Sequence, residues 1–147
     1  MLEYVGKTHI GFVGREGLTV RVLLPRDKCK KLGINEDTIV YVYYDHNKDA
    51  VAIKVVGKYP FSKFKQIGIE PPDLPSGLKR IQTATTRFGV KSYAVYIPKD
   101  YARWGGLIPE ELQAARATPS ENDYRPSYNK EVYVFYDNAT NTLYIKP

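Results

Sequence analysis

Lysine and arginine are the residues of this chain whose placement could do chemistry. After Pro25 come Lys28, Lys30 and Lys31, and after Pro98 come Lys99 and Arg103. Arg21 precedes the first proline, and Arg15 and Arg87 stand near two turn-like stretches. Clustered cations attract the regularly spaced phosphates of a duplex, and the counterions they release give an affinity that falls steeply with salt. Lys28, Lys30, Lys31, Lys99 and Arg103 would position the protein on phosphates, whereas Arg15, Arg21 and Arg87 would reach base edges. Taken singly, each is equally well explained as a solvated surface charge. Their distribution favours the DNA reading: of the formal net charge of +6, residues 1–34 carry +4 and residues 79–109 carry +5.

Other chemistries find less support. Cys29 is the only cysteine, so neither an intrachain disulfide nor a thiolate metal cluster can form. Lysines flank it and would lower its pKa, yet a buried bystander thiol is the simpler reading. His9 and His46 stand far apart without a patterned set of cysteines or carboxylates. We therefore expect no metal, no cofactor and no enzymatic activity. Thirteen tyrosines suggest base stacking. Tyr41, Tyr43, Tyr133 and Tyr136 fall in expected strands, however, where aromatic residues are ordinary packing choices. Trp104 reads as a packing anchor at a helix end.

The elements that must position these residues occur twice. "TVRVLLPRDKCKKLGI" (Thr19–Ile34) and "SYAVYIPKDYARWGGL" (Ser92–Leu107) each run from a strand pattern through a proline into a short basic segment. "VYVYYDHNKDAVAIK" (Val40–Lys54) aligns without gaps on "VYVFYDNATNTLYIK" (Val132–Lys146), with seven of fifteen positions identical. The prolines are 73 residues apart and the hairpins 92, so the second copy carries about 19 extra residues. Such self-similarity is the mark of an internal duplication.

In the first copy, Lys7–Val13 and Leu18–Leu24 are expected strands, with Val20, Val22 and Leu24 on one apolar face. Pro25 lacks an N–H and suits the start of a helix, Asp27 complements its positive end, Lys30 and Lys31 its negative end, and Gly33 its left-handed cap. Strands over Thr38–Tyr44 and Ala50–Val56 then flank a loop at Asp45–Asp49. The second copy repeats this order with strands over Lys79–Arg87 and Lys91–Ile97, a helix from Pro98 to Gly105-Gly106, and strands over Val132–Tyr136 and Thr142–Lys146. Residues 1–58 form the first repeat, 59–78 a Pro-rich linker with one helical turn around Ser62–Gln66, and 79–147 the second. An insertion at about 110–130 is expected to hold a short helix starting near Pro109 and an irregular loop. Neither repeat of some 50 residues buries enough surface to offset its chain entropy, so the two must share one core.

Arg21-Val22-Leu23-Leu24-Pro25, Leu32-Gly33-Ile34 and Val51-Ala52-Ile53-Lys54, with Ala94-Val95-Tyr96-Ile97-Pro98 and Leu143-Tyr144-Ile145-Lys146-Pro147, resemble the SpoVT-AbrB swapped-hairpin family, which includes the MazE-type antitoxins. The resemblance implies a mainly β fold with short helices, a barrel built from two tandem ββαββ repeats. One chain would close it as a pseudo-dimer, or two chains would exchange copies in a homodimer. It also implies DNA binding, with Arg21 as the strand arginine and Lys30 and Arg103 as the helix cation. The second copy departs from the pattern: Ala94 replaces the strand arginine, Cys29 and Ala102 stand where the neighbouring helix arginine falls, and Trp104-Gly105-Gly106-Leu107 replaces the "LGI" stretch.

Double-stranded DNA is thus the expected partner, and a transcriptional regulator or small architectural protein the expected role. The alternatives are an antitoxin-like protein, with 110–130 as its toxin-binding segment, and an interaction scaffold that keeps only the fold. Met1–Val5 lacks a signal-peptide pattern and no apolar run reaches the length of a membrane span. A cytoplasmic location away from the membrane is the expectation.

Overall fold

The structure is a computed structural model and describes residues 2–13, 19–85, 88–108 and 129–147. Arg15, Arg87 and the expected helix and loop at 109–128 lie outside the described residues. In chain order the elements are β1 (Leu2–Val13), β2 (Thr19–Leu23), α1 (Arg26–Leu32), β3 (Thr38–Asp45), β4 (Ala50–Lys58), α2 (Phe61–Gln66), β5 (Leu78–Arg80), β6 (Gln82–Thr85), β7 (Lys91–Ile97), α3 (Lys99–Trp104), β8 (Asn129–Asp137) and β9 (Thr142–Lys146). The protein is mainly β, with short helices.

All described strands join one antiparallel sheet in the order β5-β3-β4-β9-β8-β1-β2-β7-β6. Its two ends belong to one run of chain. Leu78–Arg80 pairs with β3 and Gln82–Thr85 pairs with β7, with buried Ile81 between them. The sheet thereby curls into a nearly closed barrel. Closure of this kind removes the unpaired edges that an open sheet leaves exposed.

The expected inward face of β2 is observed: Val20, Val22 and Leu24 are buried and Arg21 and Leu23 lie on the other side. Val40 and Val42, Val51 and Ile53, Val95 and Ile97, Val132 and Val134, and Leu143 and Ile145 fill the same core. Each pair is spaced by two, as alternation in a strand requires.

Two registers stand out. β2 and β7 cross at Val22↔Val95, residues 73 apart, and β4 and β9 cross at Ala52↔Tyr144, residues 92 apart. These are the offsets of the proline segments and of the hairpins. Within the hairpins, Tyr41↔Lys54 and Asp45↔Ala50 match Tyr133↔Lys146 and Asp137↔Thr142. Asp49 and Asn141 occupy corresponding hairpin positions, both with positive φ (52° and 53°), and accept hydrogen bonds from the hydroxyls of Tyr44 and Tyr136. Short polar side chains tolerate that left-handed conformation better than bulky ones do.

Several boundaries differ from the sequence expectations. Strand β1 begins at Leu2 rather than Lys7, because Leu2–Tyr4 pair with Phe135–Asp137 across a bulge at Tyr4/Gly6. Pro25 and Pro98 are cap residues with extended ψ (124° and 136°), and each helix starts one residue later. The linker is docked. The Asp37 carboxylate accepts both the N–H and the O–H of Ser62 at 2.9 Å, and Phe61 is buried with the Arg80 guanidinium 4.1 Å over its ring.

The "WGGL" departure leaves the helix ending intact. In α1 the Gly33 N–H bonds to the Lys30 carbonyl and the Ile34 N–H to the Cys29 carbonyl at 2.8 Å. In α3 the Gly106 N–H bonds to the Arg103 carbonyl and the Leu107 N–H to the Ala102 carbonyl, again at 2.8 Å. Both are the paired bonds of a Schellman ending. Gly33 and Gly106 supply the positive φ (69° and 71°), and Ile34 and Leu107 insert into the core. Gly105 takes the place of Leu32, so the spacing is conserved although the letters differ.

Candidate nucleic-acid interface

The central strand cation is Arg21, which lies across from Gly11 on β1 and Tyr96 on β7. With Val20 and Val22 turned into the core, alternation sends its side chain to the outer face. No ion pair engages it among the described residues. Ala94 is fully buried and pairs with Leu23, so the outer face of the β2–β7 pair has an arginine on one side of its centre and a methyl group on the other.

The helices leave from opposite ends of this pair, because β2 and β7 run antiparallel. From the register, Pro25 and Pro98 are roughly 20 Å apart along the strands. That is less than one duplex turn of about 34 Å, so one duplex can span both helix starts.

The lysines of α1 divide into two groups. Lys30 and Lys31 are exposed. Lys28 folds back: its Nζ lies 4.0 Å from the Tyr136 ring centroid and 3.6 Å from Glu3 Oε2, with the side chain only 12% exposed. A partly desolvated cation over an aromatic face contributes about 0.5–2 kcal/mol. Lys28 thus ties α1 to β1 and β8, and a ligand would have to break those contacts to engage it. On α3, Lys99 is half-buried and Arg103 donates to Asp100 at 3.1 Å. An exposed pair of this type is worth little and exchanges readily for a phosphate.

Cys29 is 2% exposed and packs in the core. Burial pushes its thiol up to about 11, so the flanking lysines do not create a nucleophile. This shift has a stability consequence. Above pH 9, the ordinary value, the unfolded chain loses the thiol proton while the folded chain keeps it. Stability therefore falls by about 1.4 kcal/mol per pH unit from about pH 9 towards 11. Urea unfolding between pH 8 and 10 is expected to show this slope in the wild type and to lose it in Cys29→Ala. Equal slopes in both proteins would refute the assignment. Tyr136 and Tyr144, held above the ordinary tyrosine value by burial, titrate further up the scale.

The tyrosines sort as the strand pattern suggests. Tyr136 and Tyr144 are buried, while Tyr41 and Tyr133 are about 40% exposed on the sheet surface. Trp104 is half exposed and shares an aromatic cluster with Tyr44, Tyr101 and His46. His9 is exposed on β1, and no group of three metal-ligand side chains occurs among the described residues.

Sequence reasoning missed Arg26, Lys58 and Lys91, which the fold brings together with Lys30. Only the i,i+4 spacing of Arg26 and Lys30 hinted at a shared helix face. Lys58 and Lys91 come from the end of β4 and the start of β7, and no local pattern connects them.

The chain matches no family model, no curated protein and no solved structure. Among the described residues, no helix is long and apolar enough to cross a membrane.

Proposed function

We propose that this chain is a duplex-DNA-binding protein of the swapped-hairpin, SpoVT-AbrB-like kind, a regulator or small architectural protein with two tandem repeats in one chain. The duplication is supported by the equivalent hairpin registers and by the crossing of β2 with β7, and of β4 with β9, at corresponding positions. Arg21 carries the DNA reading. It is an outward-facing cation without an ionic partner among the described residues, at the centre of a strand pair from whose ends two cation-bearing helices depart.

Arg21 reaches base edges in this proposal, while Lys30, Lys31, Lys99 and Arg103 hold phosphates. Arg15 and Arg87 belong to the two hairpin tips and would extend the contact. Because Ala94 stands where the second arginine would be, the two halves of a site are read unequally.

A shift assay titrated with salt tests the proposal, comparing random duplex with DNA from upstream of the protein's own gene. With three to five phosphate contacts, the log–log slope is expected at about −3 to −5. A flat salt response refutes the reading. Tighter binding to the upstream DNA assigns an operator-specific role, and equal affinity an architectural one.

A further inference from the structure

Arg26, Lys30, Lys58 and Lys91 meet around one cavity of about 360 Å³. Arg26 and Lys30 lie one turn apart on α1, Lys58 ends β4 and Lys91 begins β7. Buried Cys29 and Ile34 form its apolar side, and Asn35 and Tyr93 complete the lining with polar groups. A Cβ built on Gly33 would come within 4.0 Å of Lys58 Nζ, which places that ammonium beside the end of α1.

The charges around this cavity do not balance. Glu36 approaches Lys91 at 3.7 Å, but Arg26, Lys30 and Lys58 have no carboxylate at ion-pair distance among the described residues. Four cations against one carboxylate leave a local charge of +3. Like charges held around one cavity repel each other, and an anion between them reverses the sign of every such interaction. Local backbone donors are already engaged: the Gly33 and Ile34 N–H groups close the helix, and the Asn35 N–H bonds to Thr38 Oγ1. Recognition would therefore come from side chains: three ammonium groups, one planar guanidinium fork and the Tyr93 hydroxyl. The Asn35 Oδ1 accepts the Asp37 N–H, which leaves the Asn35 NH2 as a further donor. Guanidinium and ammonium groups together suit phosphate oxygens, the first bidentate and the second as point charges.

We propose that this cavity binds a phosphorylated anion carrying two or more negative charges. The site shares only Lys30 with the DNA-contacting set and stands without the DNA reading. Its phosphate could come from a free small molecule or from the phosphodiester backbone of a nucleic acid, and the chemistry of recognition is the same for both.

Calorimetric titration of the full chain with inorganic pyrophosphate at low salt is the test. The wild type is expected to bind with a Kd of about 1 mM or tighter. Lys58→Gln with Lys91→Gln should weaken binding about tenfold or more, while Lys63→Gln, an exposed α2 lysine away from the cavity, should leave it unchanged. Lys58→Arg with Lys91→Arg keeps the charge and should retain binding, which separates loss of the site from loss of the fold. Absence of pyrophosphate binding to the wild type overturns the proposal, as does full affinity in the double glutamine variant.

Added duplex DNA identifies the source. Displacement of pyrophosphate assigns the cavity to a backbone phosphate, and simultaneous binding of both assigns it to a free phosphorylated molecule. Failure of duplex to bind at all removes the DNA reading and leaves the pyrophosphate result standing.

Discussion

Expressed apart, residues 1–58 and 79–147 are each expected to lack a cooperative unfolding transition as monomers, and to regain it when mixed. The reason lies in the order of the strands. Strand β1 takes β8 as its second neighbour, β2 takes β7, β4 takes β9, and β3 takes β5. Every strand of residues 1–58 therefore has one edge completed by the other part of the chain. The inward residues are shared likewise: Val22 and Ile53 belong to the same buried cluster as Val95, Val134 and Ile145. A piece of this size forfeits half of its sheet neighbours while keeping the entropic cost of ordering its backbone, about 1–2 kcal/mol per residue. Circular dichroism melting of each piece, with sedimentation to fix its mass, checks the first claim. A native-like melt of the equimolar mixture checks the second. A cooperative melt of monomeric 1–58 would refute the shared-core account.

The second large effect concerns the proposed interface. Reversing charge at Arg21, Lys30 and Arg103 together is expected to lower duplex affinity at least about a hundredfold and to flatten the salt slope by about three. Their three positions span the outer sheet face and both basic helices. None of them is buried, so the fold should survive and the melting curve should change little. An interaction scaffold would keep its activity after this change, so unaltered duplex binding would exclude the assignment of these residues. Lys28→Gln supplies a contrast. Lys28 is engaged with Tyr136 and Glu3, so its loss should lower stability more than affinity.

Much of this architecture can be read from the chain because its signals are local. Alternation placed Val20, Val22 and Leu24 on one face of β2, and proline, terminal lysines and glycine bounded α1. The gapless match of Val40–Lys54 with Val132–Lys146 announced two hairpins whose registers prove equivalent. The ending of α3 was misjudged because letters were compared. A left-handed glycine followed by a core residue is what the geometry requires, and Gly106 with Leu107 meets it as Gly33 with Ile34 does.

What only the tertiary structure decided are the long-range partners. No pattern within Leu78–Thr85 tells that its first half joins β3 and its second half β7. Nor does any spacing show that Lys28 lies over Tyr136 while Lys30 shares a cavity with Lys58 and Lys91. Periodicity and capping are properties of a few neighbouring residues and survive in the sequence. Strand neighbours, by contrast, and the direction each lysine finally takes, are set when separate segments compete for the same core and the same counter-charges.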